Sequence, residues 1–271
     1  MKVEPFHGFS NNFPKPLKVL GLLLVAITLS ACQSTSVTYT AKTIGSGKVS
    51  AYGTRVTIPL EIITQPQPSP TIIVAHPSDG LDWNRYVKFW GSLLKSWGYN
   101  VVLPDSFTTR GFRNKEVMYL SGLVNHEQRA EDMINVAEWI NEQKWHSGKI
   151  GIIGFSHGGG AVIRTANVTT LITVGVAYYP GCFTDDETTK PKFPVQIHIG
   201  RDDTWTHSRR CVALAEKSSL YDLHIYEGAT HAFDIPASTR VLAGYTLSHD
   251  PVATKTAEEK TRLFLQKYLS R

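Results

Sequence analysis

Gly154-Phe155-Ser156-His157-Gly158 places a serine between two glycines in a G-x-S-x-G pattern, directly after an apolar run and ahead of a helix-forming stretch. A serine hydroxyl is a weak nucleophile at neutral pH, so a base must take its proton and an acid must orient that base. In a strand–turn–helix setting the chain order is serine, acid, histidine. His231, in Glu227-Gly228-Ala229-Thr230-His231-Ala232-Phe233, follows the last apolar strand and is the best-placed base, with His249 as runner-up. His198 and His224 fall inside strands, where packing or solvent accounts for them, and His207 sits beside the acid loop. Gly200-Arg201-Asp202-Asp203 offers two acids; Asp203 lies 47 residues after Ser156 and 28 before His231, and spacing alone leaves Asp202 open. The bland alternative for the glycine-flanked serine is a helix start packed closely on a sheet, or a phosphate-binding turn.

Acyl transfer also needs amide donors for the oxyanion. His157 follows the serine and offers its backbone N–H; for its side chain a partly buried polar neighbour is as good a reading as a catalytic one. The second donor is expected from His76-Pro77-Ser78-Asp79-Gly80, where Pro77 has no N–H, leaving Ser78 or Asp79. Arg110 suits a substrate carboxylate, or a structural salt bridge to Asp105 or Glu131. Trp83, Tyr178, Trp205 and Phe233 are candidates to line an acyl pocket or simply to pack the core, and Asp132 reads as solvent-facing or as a cap on a turn. Metal-ligand spacing and a glycine-rich cofactor fingerprint are absent, so neither metal nor cofactor is expected.

These residues need a scaffold. The chain has 271 residues, 42% hydrophobic and 19% charged, enough apolar material for a sizeable core. Its net charge of +5 is spread out without a Lys/Arg run, which argues against nucleic acid as a partner. Arg55–Ile63 alternates as a strand, with Val49–Tyr52 as its hairpin partner. Thr71–Ala75, Asn100–Leu103, Lys149–Gly154, Leu171–Tyr178, Pro194–Gly200 and Asp222–Tyr226 follow as strands. Helical patterns run over Asn84–Trp97, His126–Lys144, from His157, over Ser208–Ser218 and over Thr254–Leu269, with Ser106–Asn125 irregular. Strand alternating with helix implies a mostly parallel sheet with helices on both faces, whose chemistry gathers at the carboxyl ends of the strands.

The N-terminus reads as an address. Lys15 and Lys18 precede the eleven-residue run Val19–Leu29, too short for a bilayer span of about 20 residues. Leu29-Ser30-Ala31-Cys32 then resembles a bacterial lipobox, with Cys32 lipidated; an ordinary signal peptide or an uncleaved anchor is the alternative. Cleavage before Cys32 removes 31 residues and leaves 240 with a net charge of +3. Residues 32–48 form a tether, and Gln33 resembles outer-membrane sorting, so the expected place is the cell envelope, lipid-anchored and facing the periplasm. In that oxidising compartment Cys182 and Cys211 are either a disulfide or two buried thiols, which spacing leaves open.

VAHPSDG, LPDSF with Arg110-Gly111, RAEDM, IGFSHGGG, AYYPGC, IGRDDTW and YEGATHAFD together resemble the dienelactone hydrolase family of α/β-hydrolases, from about Ile72 onward. The resemblance implies an α/β-hydrolase domain over 49–271, the acid at Asp203, the base at His231, and a small-molecule ester or lactone as substrate. One departure matters: the founding enzymes have a cysteine nucleophile, and Ser156 here points away from dienelactones while leaving ester hydrolysis intact. The rivals are a peptidase or lipase on the same scaffold and, from another class, an envelope lipoprotein that uses the scaffold for binding without catalysis.

Overall fold

The apolar runs become one eight-stranded sheet in the computed structural model, which describes residues 40–45, 57–81, 85–112, 123–182 and 190–270. Its strands are β1 (Thr40–Gly45), β2 (Thr57–Ile63), β3 (Ser69–Ala75), β4 (Asn100–Pro104), β5 (His146–Phe155), β6 (Val174–Tyr178), β7 (Val195–Gly200) and β8 (Tyr221–Tyr226). Across the sheet they lie in the order β1-β2-β4-β3-β5-β6-β7-β8. β2 is antiparallel to both neighbours, and every pairing from β4 to β8 is parallel. Strands covered on both faces read as unbroken apolar runs. Ile72–Ala75 and Val101–Leu103 are such runs, with no exposed surface.

The helices are α1 (Arg85–Ser96), α2 (His126–Asn141), α3 (His157–Val168), α4 (Ser208–Ala215) and α5 (Pro251–Leu269). A capping box starts α2: the Asn125 side chain accepts from the Gln128 N–H, and the Gln128 side chain accepts from the Asn125 N–H. Asp250 caps α5, with Pro251 in its first turn, so the helix begins three residues before the expected Thr254. α1 and α5 share one face of the sheet, where Trp90 packs on Phe155 and Tyr178, and Thr261 bonds the Tyr178 hydroxyl. Val162 of α3 covers the other face at Gly175, and α2 packs against α3. This is the mostly parallel α/β architecture expected from the sequence.

Two elements differ from expectation. Thr40–Gly45, assigned to the tether, is the strand paired with β2; the proposed partner Val49–Tyr52 lies outside the described residues. After β8 the chain forms a hairpin where no element was expected, β9 (Arg240–Leu242) and β10 (Tyr245–Leu247). Its two-residue turn, Ala243-Gly244, has positive φ at both positions (52° and 86°), the geometry that matches strand twist. The leader 1–31, Cys32 and Trp83 also lie outside the described residues. Among the described residues no helix is long and apolar enough to cross a membrane.

Candidate active site

β5 ends at Phe155 and α3 begins at His157, which leaves Ser156 in the turn with φ 51° and ψ −115°. A backbone so far from the common regions costs about 1–3 kcal/mol and persists only where its surroundings over-determine it. Here the Ser156 N–H donates to the Tyr178 carbonyl at 2.9 Å. The flanking glycines are fixed by contact: a Cβ on Gly158 would lie 2.1 Å from the Ala75 carbonyl oxygen, and one on Gly154 would lie 2.3 Å from that of Gly158.

His231 Nε2 lies 2.9 Å from Ser156 Oγ, and its Nδ1 lies 2.8 Å from Asp203 Oδ2. The Thr206 hydroxyl donates to the same Asp203 oxygen at 2.7 Å. Asp203 Oδ1 accepts from the Trp205 and Thr206 N–H groups, each at 2.9 Å. Burial alone would raise the Asp203 carboxyl; the hydrogen bond and charge of His231, with the Thr206 donors, outweigh it and hold the group below its ordinary value. An ionised Asp203 takes the Nδ1 proton's hydrogen bond, which leaves the Nε2 lone pair facing the serine. The acid and histidine loops meet because β7 ends in glycine: a Cβ on Gly200 would lie 2.1 Å from the Ala229 carbonyl oxygen. Asp202, the acid that spacing left open, is exposed, and its N–H donates to that same carbonyl.

Ser156 and His231 open into a cleft of about 460 Å³, its solvent-filled mouth included, with Ser78 and Asp79 on one wall. Trp205 lines it, as one of its two readings had it, and lies over His231 (ring centroids 5.0 Å apart), backed by Tyr245 of β10. Tyr178 and Phe233 do not line it. Both are fully buried, because the β6 pleat turns Tyr178 toward α1 and α5, where Phe233 also packs. Tyr179, one residue further on, reaches the cleft instead, packed edge-to-face on His231 with ring centroids 4.8 Å apart.

Arg110 is not free for a substrate. Its guanidinium makes a two-pronged ion pair with Asp132, 2.8 Å on each prong, and also donates to the Ser106 carbonyl. Asp132 is accordingly buried rather than solvent-facing. The arginine that does reach the cleft is Arg240 of β9, beside Leu242 and Leu247 of the same hairpin. Among the described residues no carboxylate pairs with it. Thr206, Tyr179 and Arg240 went unread in the sequence; only Thr206, three residues after Asp203, carried a usable signal, as a loop donor beside an acid. The His157 side chain is partly buried, as one of its two readings had it, and stacks on His126 with ring centroids 4.2 Å apart. Cys182 and Cys211 form a disulfide that ties the segment after β6 to α4. Among the described residues no group of three His, Cys, Asp or Glu side chains is arranged to hold a metal ion.

A mostly parallel eight-stranded sheet with a serine in the sharp turn after β5 defines the α/β-hydrolase class. An esterase of Pyrococcus furiosus superposes with a TM-score of 0.66 at 19% identity, over 87% of this chain and 94% of its own. A carboxymethylenebutenolidase of Pseudomonas putida is 25% identical over 192 residues, 65% of this chain and 80% of that one. A Bradyrhizobium sp. protein described as a probable 2-oxo-3-(5-oxofuran-2-ylidene)propanoate lactonase is 27% identical over 221 residues, 74% and 84% of the two chains. Residues 56–269 match the model of the dienelactone hydrolase family, and the chain belongs to that family. The resemblance carried by IGFSHGGG, IGRDDTW and ATHAF is thereby borne out, and membership makes the protein a hydrolase of the carboxylic-ester and lactone class.

Proposed function

We propose that the protein cleaves carboxylic esters or lactones through an acyl-enzyme on Ser156. The observation that carries this is the unbroken hydrogen-bonded chain from Ser156 Oγ through His231 to Asp203. His231 takes the serine proton as Oγ attacks the carbonyl, and Asp203 orients the imidazolium that forms. The N–H of His157 and that of Ser78 or Asp79 receive the oxyanion. His231 returns the proton to the leaving alkoxide; in a second half-reaction it activates water against the Ser156 ester. A serine in place of cysteine makes its own general base a requirement, since a hydroxyl is not ionised near neutral pH as part of a thiol population is. The aromatic and aliphatic walls, with Arg240 at one side, suit an ester that joins an apolar body to a negatively charged group.

Labelling with a fluorophosphonate, with the adduct located by mass spectrometry, tests the assignment. An adduct on Ser156 that His231→Ala abolishes supports it; a folded protein that takes no label overturns it in favour of a binding lipoprotein. The lipid-anchored, periplasm-facing address is proposed on Leu29-Ser30-Ala31-Cys32. Cys32→Ser should move the protein out of the membrane fraction, and an unchanged membrane fraction defeats that address.

A further inference from the structure

Beneath the Ser156 turn lies a guanidinium with no assigned use. Arg129 of α2 is wholly buried. Of its nitrogens, Nη1 lies 3.0 Å from His157 Nδ1, while Nε and Nη2 have no hydrogen-bond partner among the described residues. Asp132, the carboxylate whose charge acts most on Arg129, is already engaged on both oxygens by Arg110. The Arg129 guanidinium carbon lies over the ring of Phe107, 5.1 Å from its centroid, and that ring also packs on His76 and His157. Burying a charge with so few partners is costly, and an apolar side chain of similar volume would join α2 to α3 at least as well. The charge therefore calls for an explanation other than packing, and the group it bonds is the residue next to the serine.

The His157 ring is held on both sides. An arginine cannot accept, so it donates to Nδ1, and the remaining ring N–H goes to the Val124 carbonyl. Burial and the charge of Arg129 push this imidazole down to about 2, so it stays neutral and keeps this one tautomer at working pH. His126 stacks on its face. The ring is thus a strut from α2 to the first residue of α3, the residue whose backbone follows the strained Ser156 turn.

We propose that Arg129 is a positioning residue: by clamping the His157 ring it holds the first turn of α3, so that the Ser156 hydroxyl and the His157 amide keep the geometry acyl transfer needs. The inference rests on the acyl-transfer reading of Ser156. Arg129 touches neither substrate nor reacting atoms and acts only through His157.

The test compares wild type, Ser156→Ala, Arg129→Met, Arg129→Lys, His157→Phe and the Arg129→Met/His157→Phe double variant. Each is assayed for kcat and KM on p-nitrophenyl acetate, with folding followed by circular dichroism and Tm. Arg129→Met should lower kcat by about 100-fold, the scale of a small misplacement at a reacting centre, with KM little changed. Lys retains one donor and the charge and should restore most of that loss. His157→Phe should match Arg129→Met, and the double variant should be no worse than either, since both break one strut. A lower Tm with wild-type kcat, or losses that multiply in the double variant, would overturn the proposal. Should Arg129→Met fail to fold, His157→Phe decides, and an unchanged kcat there rejects the strut. If wild type and Ser156→Ala turn over equally, the acyl-transfer reading falls and takes this inference with it; a dead Ser156→Ala beside a fully active Arg129→Met rejects the strut alone.

Discussion

Thr206 changes what Asp203 can do. With its hydroxyl and N–H on the carboxylate, and the Trp205 N–H beside them, every strong acceptor direction of the buried acid is filled by a donor or by His231. Asp203→Asn removes the charge and offers an amide that favours the wrong imidazole tautomer; kcat should fall by about 10⁴-fold. Asp202→Asn, at an exposed side chain, should leave it near wild type. Steady-state assays on any hydrolysed ester make the comparison, and the reverse order of losses would exchange the two acids. The sequence alone could not choose between adjacent aspartates, because a one-residue difference in a loop is decided by which side chain the turn aims inward. Ser156 and His231 were legible for the opposite reason: glycines and an apolar strand on one side of each leave few other uses for them.

At the level of elements, the β9–β10 hairpin supplies one wall of the cleft, through Arg240, Leu242 and Leu247. Its strands are three residues each, too short for alternation to register, and its turn is Ala243-Gly244 rather than a sequence that announces positive φ. The hairpin and its arginine were invisible in the sequence for that reason, while Arg110, in a motif, was conspicuous and turned out to be bound to Asp132. Strand β1 escaped notice because its Ser/Thr-rich approach looks like linker, although Thr40, Thr43 and Ile44 are β-branched. The parallel strands and five helices were legible, since buried runs and amphipathic stretches leave periodic marks. If Arg240 meets an anionic substrate group, Arg240→Leu should raise KM about tenfold or more for esters carrying a carboxylate, the scale of one charge-assisted hydrogen bond. Neutral esters of the same size should be unaffected, and equal changes for both would remove the arginine from recognition.

For the molecule as a whole, the disulfide and one buried acid set the conditions of stability. Cys182 and Cys211 are 29 residues apart, and closing such a loop stabilises by about 3–4 kcal/mol through the unfolded chain's lost entropy. Replacing both by alanine should lower Tm, and adding reductant to wild type should reproduce the shift in calorimetry. Asp234, fully buried, is raised to about 7, chiefly by burial. Its folded pKa therefore lies above its unfolded value, so the native state holds the proton longer and stability falls as pH rises from about 4 toward 7. Asp234→Asn should gain Tm relative to wild type at pH 8 and not at pH 4; an equal change at both would contradict the raised pKa. The backbone contacts at Gly154, Gly158 and Gly200 have a consequence for any saturation-mutagenesis map of this chain. All three positions should score as intolerant as Ser156, His231 and Asp203, although none of them touches a reacting atom. A heat map would then draw the outline of the cradle as sharply as the chemistry inside it. Telling the two apart requires separating loss of folded protein from loss of turnover, variant by variant.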